Sequence, residues 1–90
     1  MTLGEKRILP LGELAEGAQA RVLQVQGGQA FRGRVATLGF TLGAPLRLLQ
    51  NAGRGPVIVL IRGTRVALGR GEALKVLVAP EESGDATPQQ

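Results

Sequence analysis

The chain has 90 residues, enough for one domain with one modest core. It contains no cysteine and no histidine, which excludes disulfide staples, thiolate or imidazole metal sites and the usual general base near neutral pH. The net charge is +4, yet Glu81, Glu82 and Asp85 give the last ten residues −3, so Met1 to Pro80 carries +7, a balance suited to nucleic acid or to an acidic protein partner.

Met1 to Pro10 reads as a lead-in without the sustained apolar core of a secretion signal. No apolar run approaches the roughly 20 residues that cross a bilayer, so a soluble cytoplasmic protein without membrane insertion is expected. Leu11-Gly12-Glu13-Leu14 suits one helical turn that tucks its leucines inward, and Gly17 supplies the turn into a strand. That first strand, Ala20 to Gln26, alternates imperfectly and leaves Val22 on the wetter face. A bulge near Val22-Leu23, or burial on both faces, would resolve the conflict. After Gly27-Gly28 the period lengthens. Phe31, Val35 and Leu38 fall at i, i+4 and i+7, one stripe of a helix over Gln29 to Leu38. So short a helix, with Gly33 in its middle, must be held by packing. Gly39 stands where a left-handed stop is wanted, and Phe40 is placed to close the apolar contact of that cap.

Thr41 to Pro45 is a turn and Leu46 to Gln50 a second strand, followed by a glycine-rich hairpin loop over Asn51 to Gly55. Val57-Ile58-Val59-Leu60-Ile61 is wholly apolar with four β-branched residues, which predicts a strand. Having no wet face, it calls for cover on both sides, hence a tightly curled sheet with a short helix across it. Arg62-Gly63 turns the chain into a strand at Thr64 to Leu68, and Gly69 to Ala73 suits a brief helical turn. Leu74 to Val78 is the closing strand, with Val76 and Val78 inward. Residues 1–10 are thus a lead-in, 11–79 the domain, and 80–90 an acidic tail of disordered composition. One strand, a short helix and four more strands indicate a small, partly closed barrel. An open ferredoxin-like layer would need a second full helix.

Catalysis finds little support. Thr37, Thr41 and Thr64 have no histidine to activate them, and nothing pairs Lys6 or Lys75 as a base. Gly27-Gly28 and Gly69-Arg70-Gly71 lack the lysine and hydroxyl residue of a phosphate loop. Glu13, Glu16 and the tail carboxylates show no converging spacing for a hard cation, so neither a cofactor nor a metal site is expected. With only Phe31 and Phe40 as aromatics, a base-stacking platform is nearly missing and nucleic acid is disfavoured. The arginines carry the remaining content, either as a solvated surface whose stems cover apolar edges or as the rim of a docking patch. Arg32, Arg34, Phe40, Leu42, Arg62 and Arg65 are the docking candidates, with core packing the competing role for Phe40.

Phe31 to Leu46, a short basic helix ending in Leu38-Gly39-Phe40 and then Gly43, resembles the hallmark of the FeoA family. Leu11-Gly12-Glu13-Leu14 with Gly17-Ala18 is similar to the family's opening. Pro56 to Gly69, an apolar strand running into Arg62-Gly63 and then Val66-Ala67-Leu68, resembles its second hallmark. The likeness spans Leu11 to Val78 in order. It implies a mainly β fold, a small SH3-like five-stranded barrel with one short helix inserted after the first strand. It also implies a non-catalytic cytosolic accessory of ferrous iron uptake, docking on the cytosolic GTPase portion of the FeoB transporter. Gly33 within the helix and Phe40, where an aliphatic is commoner, depart from the pattern. Competing readings are a small-barrel nucleic-acid binder and a metal-sensing domain related to the C-terminal domains of iron-dependent repressors. Pairing with another copy through an edge strand is a further expectation for a sheet this small.

Overall fold

A computed structural model describes residues 7–81. The expected acidic tail from residue 82 onward and residues 1–6 of the lead-in lie outside the described residues. In chain order the elements are β1 (Leu9–Pro10), a 3-10 turn (Leu11–Glu13), β2 (Gln19–Val25), α1 (Gln29–Thr37), β3 (Pro45–Gln50), β4 (Val57–Ile61), β5 (Thr64–Leu68), α2 (Arg70–Ala73) and β6 (Val76–Pro80).

The strands form one sheet in the order β1-β6-β2-β3-β4-β5, with every neighbouring pair antiparallel. This corrects the expected five-stranded barrel on both counts. Six strands are present, and among the described residues no ladder joins β5 back to β1, so the sheet is open. The physical cause lies at its two ends. β1 is only two residues long and finishes on Pro10, which has no N–H to donate. At the other end α2 packs on β5 and on the 3-10 turn, so side chains rather than a ladder bridge that gap.

Two bulges decide which residues face out. Val22 pairs with Val78 and Gln24 with Leu77, so Leu23 is the extra residue. Ala20 and Val22 consequently both turn inward and are buried, while Leu23 is 38% exposed. Of the two remedies open to the sequence, the bulge is the one adopted. A second register shift, between Leu48 and Gln50, leaves Leu49 unpaired and outward against β4.

The core gathers Leu11, Leu14, Val22, Val35, Phe40, Leu48, Val57, Val59, Ile61, Leu68, Val76 and Val78 with smaller residues. β4 does not behave as its composition suggests. Val57, Val59 and Ile61 are buried, but Ile58 is half-buried and Leu60 is 37% exposed. An open sheet this small has one packed face, so the expected cover on the second side is absent among the described residues.

Helix α1 ends as the sequence indicates. Gly39 adopts φ +113°, its N–H bonds the carbonyl of Ala36 at 3.0 Å, and the N–H of Phe40 reaches Val35 at 3.0 Å. This is a Schellman stop, with Val35 and Phe40 buried as its apolar contact. Val35 and half-buried Phe31 hold the helix to the core, whereas Leu38 at the cap stays exposed.

Candidate functional site

Several of the nine arginines are committed to the fold itself. Arg70 donates Nη1 to the carbonyl of Gly55 at 3.1 Å, and Nη2 to that of Gly12 at 3.1 Å and to Oδ1 of Asn51 at 2.8 Å. Asn51 in turn donates Nδ2 to the carbonyls of Gly12 and Leu14, at 2.9 and 3.0 Å, and its backbone N–H to Oε2 of Glu16 at 2.7 Å. One guanidinium and one amide thus tie the 3-10 turn, the β3–β4 loop and α2 together where a sheet ladder would have closed a barrel. Arg21 bonds the carbonyl of Gly43 at 2.9 Å and pairs with Glu81 at 2.7 Å.

Among the six docking candidates, Arg34 forms an ion pair with Glu72 and so straps α1 to α2. Glu72 also accepts the N–H of Gly69 at 3.1 Å, closing the first turn of α2. The Gly69 hydrogen bond first, and the Arg34 partner second, hold its carboxyl below the usual carboxylate range. Arg34 and Lys75 both lie over the ring of Phe31, at 5.6 and 5.2 Å from its centre.

Arg62 has φ +53° in the two-residue turn from β4 to β5, beside Gly63 at φ +75°. Both positive angles suit a type I′ hairpin, but arginine is a costly choice for the first position. Its side chain lies across the helix stop, with Nε 3.5 Å from the carbonyl of Gly39 and Nη2 donating to Oγ1 of Thr41 at 3.3 Å. Arg62 therefore braces the stretch leading to Leu42.

Arg32, Phe40 and Leu42 come together. They border a groove of about 650 Å³ between α1 and β2, whose other walls include Leu23, Val25, Gly33 and Ala36. Gly33 and Ala36 keep this helix face low, with open space where a Cβ on Gly33 would stand. Phe40 is buried, while Leu42 is 75% exposed at the mouth. Arg32 makes no ion pair among the described residues. Such a groove offers apolar side chains for desolvation and one unengaged guanidinium for a carboxylate. Arg65 is not part of it, standing on the outer face of β5 opposite Leu60.

Sequence reasoning missed Leu23 and Val25 as a groove wall. The broken alternation at Val22-Leu23 was the available signal, since the bulge that resolves it turns Leu23 outward. The roles of Asn51 and Arg70 had no such signal, because they depend on contacts between residues up to 58 positions apart.

Among the described residues, no three acidic side chains gather as a metal site would require. Residues 9–80 match the family model for the FeoA domain. The chain belongs to the FeoA family. A protein of Methanocaldococcus jannaschii provisionally named Fe(2+) transport protein A is 33% identical over 75 residues, covering 83% of this chain and 90% of that one. The crystal structure of an iron uptake regulatory protein (FeoA) superposes with a TM-score of 0.78 at 32% identity, covering 83% of this chain and all of the other. A manganese-dependent transcriptional repressor superposes with a TM-score of 0.76 over 89% of this chain and 45% of that one, but at 21% identity the likeness is of fold alone. Membership of the FeoA family makes the chain a non-catalytic, cytoplasmic accessory of ferrous iron transport.

Proposed function

We propose that this FeoA protein acts as an adaptor that docks on the cytosolic GTPase portion of the FeoB ferrous iron transporter through the α1–β2 groove. The observation that carries the reading is Leu42, a large apolar side chain 75% exposed at the mouth of an apolar groove with Arg32 on its rim. Apolar anchors within a polar rim are the usual make-up of a docking site. Three of the other candidates, Phe40, Arg34 and Arg62, serve this surface from behind. Phe40 is its floor, Arg34 fixes α1 against Glu72, and Arg62 holds Gly39 and Thr41 ahead of Leu42.

The nucleic-acid alternative gains nothing from the geometry. Phe40 is buried and Phe31 is covered by two cations, which leaves no aromatic platform for bases.

Titrating the transporter's cytosolic portion into the chain, in its GTP-bound, GDP-bound and empty states, tests the proposal. Leu42→Glu should weaken binding at least tenfold, about 1.4 kcal/mol. Arg32→Glu should weaken it several-fold, more so at low salt. Unchanged affinity in Leu42→Glu would reject the groove, and no binding of the wild-type chain in any nucleotide state would reject the adaptor role.

A further inference from the structure

Arg47 on β3 and Arg65 on β5 are both register partners of Leu60 on β4, one on each side. All three side chains are exposed on the outer face, where Ile58, Ala67 and Leu49 extend the apolar ground. The two arginine backbones stand two strand spacings apart, about 10 Å. A wet sheet face ordinarily balances its charges with cross-strand pairs of opposite sign. Here neither guanidinium has an ion-pair or hydrogen-bond partner among the described residues. Glu81 lines a shallow depression of about 400 Å³ together with Arg47 and Leu60 but is already paired with Arg21 at 2.7 Å.

We infer that this face is a second docking surface, and that its occupant is an acidic amphipathic helix of a protein partner lying across the strands. The spacing supports that choice. Helix positions i and i+7 lie about 10.5 Å apart on one face, so carboxylates there meet Arg47 and Arg65 together. Apolar side chains at i+3 and i+4 then fall on Leu60. A sheet face with an apolar centre is a surface on which helices pack, and planar guanidinium groups suit carboxylates in bidentate contact. The simpler role for these arginines, stems laid over Leu60, leaves that leucine 37% exposed and gives no partner for two like charges on one face. The surface shares no residue with the groove, and the inference stands whether or not the groove reading does.

The probe is a synthetic helical peptide with glutamate at i and i+7 and leucine at i+3 and i+4, followed by fluorescence anisotropy with the full chain. The wild-type chain should bind it, with affinity falling at least tenfold for Arg47→Glu/Arg65→Glu and for the milder Arg47→Gln/Arg65→Gln. The same loss is expected when both glutamates of the peptide become lysine. Leu42→Glu should bind as wild type does, and the thermal unfolding of each variant establishes that it is folded. Failure of the wild-type chain to bind, or equal binding by the double variants, would overturn the inference. So would capture of duplex RNA or of anionic phosphatidylserine vesicles through the same two arginines in place of the peptide. Binding that emerges only in Glu82→Gln/Asp85→Asn would assign the face to the chain's own acidic end and overturn the partner-helix reading as well.

Discussion

Arg70 and Arg47 are the same residue type in opposite situations. Arg70 reaches two backbone carbonyls and the Asn51 amide, all within 3.1 Å, and its donors are spent inside the molecule. Arg47 stands on an outer sheet face with no acceptor among the described residues. Charge alone therefore does not mark a recognition surface in this protein. The supply of acceptors around each arginine separates those that build the fold from those left for a partner.

The contrast breaks first at Arg70. Arg70→Ala removes three hydrogen bonds, two of them part-buried, so a loss of about 3 kcal/mol is expected. For a domain of this size that lowers the melting temperature by roughly 12–24 °C, measurable by calorimetry or circular dichroism. A drop of only a degree or two would show that the network is ornamental.

Glycine replacements sharpen the comparison within one helix. At Gly39, φ is +113° and an added Cβ would lie 2.8 Å from Cδ of Arg62. Gly39→Ala should cost about 2 kcal/mol in chemical unfolding, from backbone strain together with displacement of that arginine. Gly33 has open space around it, and Gly33→Ala should instead stabilise by about 0.5–1 kcal/mol.

A smaller effect follows acidification. The carboxyl of Glu72 is held below its ordinary range by the Gly69 N–H and by Arg34. The stability it contributes is thus present above the unfolded-state carboxylate pKa and is lost as pH falls through the lowered folded value. Unfolding midpoints measured from neutral pH into acid should decline less steeply in Glu72→Gln than in the wild type. Identical slopes would show that the Arg34–Glu72 strap contributes nothing in solution. The smallest effect is expected at Arg47, where Arg47→Ala should leave stability within about 0.5 kcal/mol.

Much of the fold was legible because local rules act there without competition. The helix stop at Gly39-Phe40, the arginine-glycine turn after Ile61 and the inward Val76 and Val78 all rest on near neighbours in sequence. The openness of the sheet was not, because closure is decided by whether two sheet ends meet, and no local pattern encodes that. β1 is too short to announce itself, and Pro10 limits what it can donate. Composition misled at β4, where an unbroken apolar run suggested two packed faces and the open sheet provides one. Arg32 and Leu42 could be named from the sequence, whereas the groove they share required the bulge that turns Leu23 outward.

The central claim is that recognition of the transporter lies at the α1–β2 groove and not in the arginines built into the fold. The direct measurement is a nuclear magnetic resonance titration of the isotope-labelled chain with the unlabelled cytosolic GTPase portion of the transporter. Amide shifts should concentrate at Leu23, Arg32, Thr41 and Leu42 and leave Asn51 and Arg70 unmoved. Shifts centred on Asn51 and Arg70, or none at saturating partner, would contradict it.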